Sequence, residues 1–368
     1  MVSVNEPLLD GNEKKYLNEC IDTGWISSEG PFVEKFESEM AYYVGRKFAT
    51  ACSSGTAALD IAVAALNLQK GDEVILPSFT IISCAQALTK LGVKPVLVDS
   101  EYDTFNMKVD DIESRITPKT RAIMIVHIFG LTADVDPIID LAMKYKLKVI
   151  EDAAQMHGQE YKGQKCGSFG DISIFSFYPN KHITTGEGGM VLCDDIFLDK
   201  RSKYLRNLCF GEQRFTHEEV GFNYRMTNMQ AALGVAQLER IDKIVEKKRW
   251  IGNTYNKLLQ DLNMINLPIK ETGYCENIYW VYAITLKYNF SKTAEQVMSE
   301  LGELKIGTRP FFYPMHQQPV FNRAGLFLQD KMPNSEKLYK RGFYIPSGLA
   351  LTQDQAVEVS EALHEILS

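Results

Sequence analysis

The chain has 368 residues, of which 45% are hydrophobic and 24% charged, and its formal net charge is −7 at pH 7. This balance is ordinary for a globular protein and excludes a disordered, collagen-like or disulfide-scaffold chain. The negative charge argues against a general nucleic-acid binder, so we expect no nucleic-acid partner.

Short runs rich in β-branched residues alternate with helical patterns through the first half of the chain. The runs predict buried strands at Val74–Leu76, Pro95–Val98, Ala122–Val126 and Val149–Ile150. The patterns between them predict helices at Ala57–Leu66, Ser83–Leu91, Val109–Ile116 and Pro137–Tyr145. Strands that alternate with helices predict a parallel sheet with helices on both faces. Two later runs, Asp171–Phe177 and Gly189–Cys193, predict a pair of strands.

A long helical pattern begins near Asn228 and continues to Leu262. A long, mostly polar helix of this kind often bridges two domains. The elements predicted after it are a strand at Tyr279–Leu286 and helices at Ala294–Leu304 and Gln353–Ile366. We therefore predict a large domain over residues 1–240, with an N-terminal helical arm, and a smaller domain over residues 241–368.

The N-terminus and the cysteines indicate where the protein works. Residues 1–10 contain Glu6 and Asp10 and no apolar core, so we expect no secretory signal. No apolar run approaches the ~18–20 residues that span a bilayer, so we expect no membrane contact. The seven cysteines form no C-x-x-C pair, and we expect reduced thiols in a cytoplasmic protein.

The first candidate segment, residues 53–59, is a small polar loop that opens directly into an apolar helix. Ser54 suits the N-cap position, and Gly55 lets the backbone come close to a ligand. The helix start, which includes Thr56, presents free N–H groups and a positive dipole end to an anion. An ordinary helix cap is the alternative, and it is the better explanation of this segment taken alone.

The second segment places Glu151 and Asp152 at the carboxyl end of a predicted strand, with Gln155 shortly after them. Ligands of open α/β sheets bind at that edge. A carboxylate buried there is costly unless it meets a cation or strong hydrogen-bond donors. A helix cap or a structural ion pair explains this segment equally well on its own.

The third segment places Lys181 between an aromatic strand, which ends near Ser176, and a glycine-rich turn at residues 186–189. A lysine in apolar surroundings can have a lowered pKa and act as an amine nucleophile. A single lysine is usually a solvated surface charge, but the strand and the turn hold this one in place. The fourth segment, Gly221–Asn228, lies just before the long helix. Loop–helix junctions of this kind are common dimer and ligand surfaces, and a further helix start is the alternative interpretation.

The standard cofactor motifs are absent, and the six histidines are isolated, so we expect no metal site. The segments instead supply a phosphate-binding helix start, a carboxylate at a strand end and a positioned lysine. These are the parts that pyridoxal 5′-phosphate requires. The lysine would bind the cofactor covalently, the carboxylate would pair with the pyridine nitrogen, and the helix start would bind the phosphate.

The chain also resembles a known family, the DegT/StrS family of pyridoxal-phosphate-dependent sugar aminotransferases, over nearly its whole length. The resemblance rests on residues 24–30, 54–56, 71–80, 151–155, 175–189, 221–226 and 308–316. It implies the α/β fold of aspartate aminotransferase, called fold type I. That fold has a mostly parallel central sheet and a smaller α+β C-terminal domain.

The resemblance assigns roles to individual residues. Lys181 would hold the cofactor and transfer protons, Asp152 would pair with the ring nitrogen, and Gln155 would lie near the ring hydroxyl. The residues that would complete the cofactor site are Ser54, Gly55, Thr56, Ile81, Ser176 and Asn223. Asn223, or Arg225 in its place, would enter from a partner subunit, which implies a homodimer with shared active sites.

Two positions separate this chain from relatives within the family. Ile81 stands where many members carry an aromatic residue that stacks on the cofactor ring, so aliphatic contact would replace stacking. Lys181 stands where a dehydratase branch carries histidine, so the resemblance implies transamination rather than removal of a hydroxyl group.

The residues that would bind the substrate are less well defined by the sequence. Arg309 is a candidate for the nucleotide diphosphate, and an ion pair within the small domain is an equal alternative. Tyr313 and His316 are candidates for the hexose, although a structural hydrogen bond explains His316 slightly better. Trp25 and Ser27 are candidates to frame the sugar or the base.

Within the family the likeness is strongest to the branch that makes GDP-perosamine for surface glycans such as the O-antigen of lipopolysaccharide. The resemblance therefore implies transfer of the amino group of L-glutamate to C4 of GDP-4-keto-6-deoxymannose, with pyridoxamine 5′-phosphate as the intermediate cofactor form. Synthesis of UDP- or dTDP-viosamine and amination of a 3-keto sugar stay open. Two other functions also stay open. One is a non-catalytic sensor that binds the cofactor or a nucleotide sugar, and the other is a nucleotide-binding module without the cofactor.

Overall fold

The computed structural model of this chain describes residues 1–213 and 215–367. The α-helices of this part are α1 Glu13–Thr23, α2 Pro31–Val44, α3 Gly55–Ala65, α4 Ser83–Lys90, α5 Val135–Tyr145, α6 Ile196–Arg206, α7 Asn228–Leu238, α8 Ile241–Leu258, α9 Ala294–Glu303, α10 Pro319–Arg323, α11 Pro333–Arg341 and α12 Gln353–Leu367.

The strands form two larger sheets and a short hairpin. Those of the central sheet are β1 Phe48–Cys52, β2 Glu73–Pro77, β3 Lys94–Val98, β4 Thr120–Val126, β5 Lys148–Asp152, β8 Ile172–Ser176 and β9 Gly189–Cys193. The hairpin pairs β6 Glu160–Tyr161 with β7 Gln164–Lys165, and the second sheet contains β10 Ile265–Asn266, β11 Tyr282–Leu286, β12 Arg309–Pro310 and β13 Gly342–Ile345.

The central sheet has the strand order β1-β9-β8-β5-β4-β2-β3. All of its neighbouring pairs from β8 to β3 are parallel, and β9 alone runs against its neighbours. Helix α3 lies between β1 and β2, and α4 lies between β2 and β3. Parallel strands need a long crossover connection, which these helices supply. The predicted α/β class with a mostly parallel sheet is confirmed, as is the predicted pair of strands β8 and β9.

The strand directions bring three chain segments to one edge of the sheet. Strands β1 and β8 are both antiparallel to β9, and β8 is parallel to β5, so β1, β5 and β8 point the same way. Their carboxyl ends are Cys52, Asp152 and Ser176. Cys52 is followed directly by the start of α3, so a helix N-terminus, a carboxylate and a hydroxyl meet at this edge.

The second sheet is antiparallel throughout, with the order β10-β11-β13-β12. Its core is separate from that of the central sheet and includes Tyr255, Tyr282, Phe343 and Leu363. Val2 packs into the same core, so the first residues of the chain join this C-terminal unit. The boundary at residue 240 stays a prediction, although α8, which packs on α12, begins at the next residue.

Two predicted helices differ from the structure. Residues Val109–Asp111 and Glu113–Arg115 form two 3-10 turns instead of a helix, because Ile112 alone of this segment is buried and anchors only a short turn. The long helix is interrupted after Leu238 and becomes α7 and α8. The break lets α7 pack on α1 and α2 while α8 packs on α12.

The seven cysteines are all buried and free, in agreement with the expected reduced thiols. Among the described residues, none of the helices combines the length and the apolar character needed to cross a membrane.

The packing of α7 on α2 gives a test of the fold. A Cβ atom added at Gly234 would lie 2.5 Å from Phe36 Cζ, and the Phe36 ring is fully buried against Phe177. Overpacking costs about 1–3 kcal/mol, which exceeds the gain of up to about 1 kcal/mol from replacing glycine by alanine in a helix. We expect Gly234→Ala to lower the thermal unfolding midpoint.

Gly302 of α9 is the matched control, since a Cβ atom there meets nothing within 4 Å. Gly302→Ala gains helix propensity without a clash and raises the midpoint. A thermal midpoint for Gly234→Ala equal to or above that of the unmodified chain would contradict the packing described here.

Candidate active site

A cavity of about 400 Å³ opens at the edge of the central sheet where β1, β5 and β8 end. Eight residues predicted for the cofactor site line it: Ser54, Gly55, Thr56, Ile81, Asp152, Gln155, Ser176 and Lys181. The further lining residues, to which the sequence assigned no individual role, are Leu59, Ser83, Ala154, Ile174, Tyr178, Asn180, Glu187, Trp280, Phe312 and Tyr344.

The start of α3 forms one wall of this cavity. Ser54 is its N-cap, with the side-chain oxygen accepting a hydrogen bond from the Ala57 N–H at 3.1 Å. The first N–H groups of a helix have no partner within it, and here they belong to Gly55 and Thr56. A Cβ atom on Gly55 would lie 2.6 Å from Ser176 Cβ, so glycine allows α3 and β8 to meet closely. The result is a cradle suited to an anionic group.

Asp152 lies at the end of β5 and is buried. One carboxylate oxygen, Oδ1, accepts from the Ala154 N–H at 3.0 Å, and Oδ2 accepts from the Cys84 thiol at 3.2 Å. Burial raises the pKa of Asp152, and both hydrogen bonds oppose that rise. A buried carboxylate held in this way is set up to receive a cationic or N–H group from the cavity.

Glu151 points to the opposite face of the sheet, because side chains alternate along a strand. Its oxygens accept from the N–H groups of Gly167 and Phe169, and His127 Nε2 lies 3.2 Å from Oε1. Atoms of His127, Glu151 and Cys166 lie within 4.8 Å of one another, the spacing of a metal site. The hydrogen bonds already occupy the Glu151 oxygens, so this cluster acts as a structural network.

Lys181 follows the turn after β8, and its side chain lines the cavity instead of extending into bulk solvent. Burial lowers the pKa of Lys181 to about 8, while the negative charge of Asp152 acts in the opposite direction. The Lys181 Nζ atom lies 3.8 Å from the centroid of the Trp280 ring. The geometry thus favours an amine nucleophile over a solvated surface charge.

Ile81 and Gln155 complete the inner part of the cavity. The Gln155 side-chain oxygen accepts from the Phe129 N–H, which fixes the amide group next to the end of β5. Ile81 is 44% exposed and contributes an aliphatic side chain to the cavity wall. The contacts of these two residues with a cofactor stay predictions.

Asn223 and Arg225 do not line the cavity of their own chain. The Asn223 side-chain oxygen accepts from Arg225, which also donates to the side chain of Asn207. Their role in a partner's site stays a prediction.

The predicted substrate residues also lie outside the lining of the cavity, and their roles stay predictions. Arg309 and Trp25 are exposed, and Tyr313 is 37% exposed. His316 is buried, with Nδ1 2.9 Å from the Ser78 hydroxyl and Nε2 3.2 Å from the Glu336 carboxylate. These bonds support the structural interpretation of His316. Ser27 accepts a backbone hydrogen bond from Asn228.

Sequence reasoning missed residues that approach the cavity from distant parts of the chain. Trp280, Phe312 and Tyr344 come from the C-terminal unit, and Cys84 comes from α4. The indole N–H of Trp280 donates to the Asn180 carbonyl oxygen, 100 residues earlier in the chain. No local pattern in the sequence marks such a residue.

A comparison with known proteins identifies the family. Residues 7–364 match the DegT/DnrJ/EryC1/StrS aminotransferase family. The chain belongs to this family. A GDP-perosamine synthase from Caulobacter vibrioides is 42% identical over 369 residues, covering 100% of this chain and 98% of that protein. One from Escherichia coli O157:H7 is 40% identical and covers 100% of this chain and 99% of that protein.

Solved structures share the fold of this chain. DesV of S. venezuelae, whose structure contains a ketimine intermediate, has a TM-score of 0.89 and 31% identity over 96% of this chain and 94% of DesV. The predicted family, the aminotransferase class and the fold are therefore confirmed.

The hydrogen bond from Cys84 to Asp152 gives a test of the site. The thiol is buried, and burial raises its pKa well above the ordinary value, so it stays protonated and donates. We expect Cys84→Ala to lower the aminotransferase rate about tenfold, since hydrogen bonds to charged groups contribute about 1.5–3 kcal/mol and a thiol is a weak donor. The measurement is single-turnover kinetics with an amino donor.

Cys84→Ser is the matched control because its hydroxyl keeps a donor at this position. We expect its rate to stay near that of the unmodified enzyme. Equal rates for the alanine and serine variants would show that the thiol plays no part in holding the carboxylate.

Proposed function

We propose that this protein is a pyridoxal-phosphate-dependent aminotransferase that moves the amino group of L-glutamate to C4 of GDP-4-keto-6-deoxymannose and so makes GDP-perosamine. The observation that carries the proposal is the meeting of the Lys181 amine, the Asp152 carboxylate and the N-terminus of α3 in one cavity. The identity of the sugar is supported by the 42% and 40% full-length likeness to the two GDP-perosamine synthases.

The cavity offers a partner for each polar part of the cofactor. The N–H groups of Gly55 and Thr56 and the hydroxyl of Ser176 suit the phosphate, and Asp152 suits the protonated ring nitrogen. Lys181 supplies the amine for covalent attachment. When bound, pyridoxal phosphate supplies an aldehyde that takes up amino groups and a ring that accepts the electrons left by a departing proton.

Lys181 has a second task once an amino substrate has displaced it. Its Nζ atom would then be a free base that takes the α-proton of glutamate and, as an ammonium, gives that proton to the carbon that carried the aldehyde of the cofactor. A general base works best with a pKa near the working pH, and burial brings the pKa of Lys181 to about 8. The Asp152 carboxylate would pair with the protonated ring nitrogen of the bound cofactor, which would be electrostatic preorganisation.

The active form is proposed to be a homodimer in the cytoplasm, serving synthesis of surface glycans. Asn223 supports the dimer, because it is exposed and does not line its own cavity, which leaves it available to a partner's site. Two anionic ligands must bind to a chain of net charge −7, so local N–H groups and cations have to supply the attraction.

Lys181→Ala tests the assignment of the catalytic residue. We expect loss of turnover and of covalent cofactor, since no other lysine is found among the described residues that line the cavity. The measurement is mass spectrometry of the intact chain after borohydride reduction, together with product formation. Turnover at the unmodified rate would overturn the assignment.

A substrate panel tests the sugar. The unmodified enzyme is given glutamate and 4-keto or 3-keto sugars linked to GDP, UDP or dTDP, and products are identified by mass and NMR. We expect amination at C4 of the GDP-linked sugar to be fastest. Preference for a UDP- or dTDP-linked sugar, or for a 3-keto group, would replace the proposed substrate, and absence of any half-reaction with glutamate would indicate a sensor.

The pKa of Lys181 predicts a pH profile for attachment of the cofactor. The amine reacts only after losing its proton, so the rate rises with pH and levels off above about 8. The measurement is the rate of covalent incorporation of pyridoxal phosphate into the cofactor-free protein between pH 6 and 10. A midpoint near 10.5, the ordinary value for lysine, would contradict the effect of burial.

A further inference from the structure

Trp280 belongs to the C-terminal unit, just before β11, yet its side chain reaches the cavity at the edge of the central sheet. It is buried and makes two contacts with the segment that carries the reactive lysine. The indole Nε1–H donates to the Asn180 carbonyl oxygen at 2.7 Å. The ring lies under Lys181, with 3.8 Å between the ring centroid and Nζ.

The position of Trp280 is fixed from two sides. The Lys248 ammonium of α8 donates to the Trp280 carbonyl oxygen at 2.9 Å and also to that of Ser347. The Trp280 ring packs against Phe129, with 6.0 Å between the ring centroids. Lys248 thus fixes the Trp280 backbone, and the indole cannot leave the cavity wall without breaking its N–H hydrogen bond to Asn180 and its contact with Phe129.

Few other groups stabilise a charged amine at this position. Asp152 is the group whose negative charge raises the pKa of Lys181, because the neighbouring Cys84 thiol stays protonated. His157 and His182, whose charges would act on Lys181, are buried and neutral, since burial lowers the pKa of His182 to about 3 and that of His157 well below its ordinary value. The face of a tryptophan ring attracts a cation, so Trp280 adds a favourable surface for the ammonium.

We propose that Trp280 is a positioning residue that holds the Lys181 ammonium against the cavity wall, from the moment the displaced amine has taken up a proton until it gives that proton back. This inference rests on the proposed function, because only covalent catalysis frees the amine in each cycle. From this place the amine stays near Asp152 and is ready to transfer a proton and to re-form its bond.

The chain contains a matched control for the ring contact. On the surface of α8, the Lys247 Nζ atom lies 3.7 Å from the centroid of the Trp250 ring, almost the distance found in the cavity. Trp250 is not among the residues that line the cavity. Removal of its ring thus deletes a contact of the same kind without touching the site.

The experiment compares the full-length variants Trp280→Leu and Trp250→Leu with the unmodified chain. Pyridoxal phosphate is added to cofactor-free protein over a range of pH, and the bond is trapped by borohydride and located by mass spectrometry. Loss of the ring removes stabilisation of the charged amine, so Trp280→Leu should lower the pH midpoint of incorporation by about 0.5–1 unit. It should also slow the half-reaction with glutamate at least fivefold, while Trp250→Leu changes neither.

Fluorinated tryptophan tests the same ring contact if the Trp280→Leu variant does not fold. Incorporated in a Trp25→Phe Trp250→Leu background, where Trp280 is the remaining tryptophan, it keeps the shape and the N–H of the indole but weakens the negative face of the ring. A lower pH midpoint supports the proposal. An unchanged midpoint and half-reaction in folded protein overturn it. Failure of the unmodified chain to attach the cofactor at Lys181 would overturn the proposed function as well, which separates the two outcomes.

Discussion

The apposition of a carboxylate and an amine within one buried cavity is the constraint on which the rest of the site depends. Asp152 and Lys181 are each costly to bury alone, since a charge removed from water needs a partner. Burial lowers the pKa of the Lys181 amine and raises the pKa of the Asp152 carboxyl. The attraction between their opposite charges acts against both of these pKa shifts. The balance leaves a lysine that can gain and lose a proton near neutral pH.

The central sheet enforces this apposition. Parallel strands β5 and β8 deliver Asp152 and the segment before Lys181 to one edge, and the antiparallel strand β9 lets β1 bring the start of α3 to the same place. Glu151, one residue from the carboxylate, is bonded to backbone N–H groups on the opposite face. That network holds the end of β5 in register, so Asp152 keeps its direction into the cavity.

The C-terminal unit completes the cavity from the outside. Trp280, Phe312 and Tyr344 add an aromatic wall, which limits water around the amine and strengthens the electrostatic interactions inside. Lys248, buried at the junction of the two units, ties this wall to α8 by bonds to two carbonyl groups. Burial lowers the pKa of Lys248 to about 7, so its protonation is itself sensitive to pH near neutrality.

The sequence by itself determined the features that short segments encode: the alternation of strands and helices, the cap at Ser54, the carboxylate at a strand end and the lysine before a glycine-rich turn. These depend on local hydrogen bonding and on the periodicity of apolar residues, which neighbouring residues specify. Only the tertiary structure decided that the helix after Leu238 breaks, that His316 bonds to Ser78 and Glu336, and that Cys84 and Trp280 serve the cavity. Such contacts join segments far apart in the chain, and their geometry exists only after the sheet and the C-terminal unit have packed together.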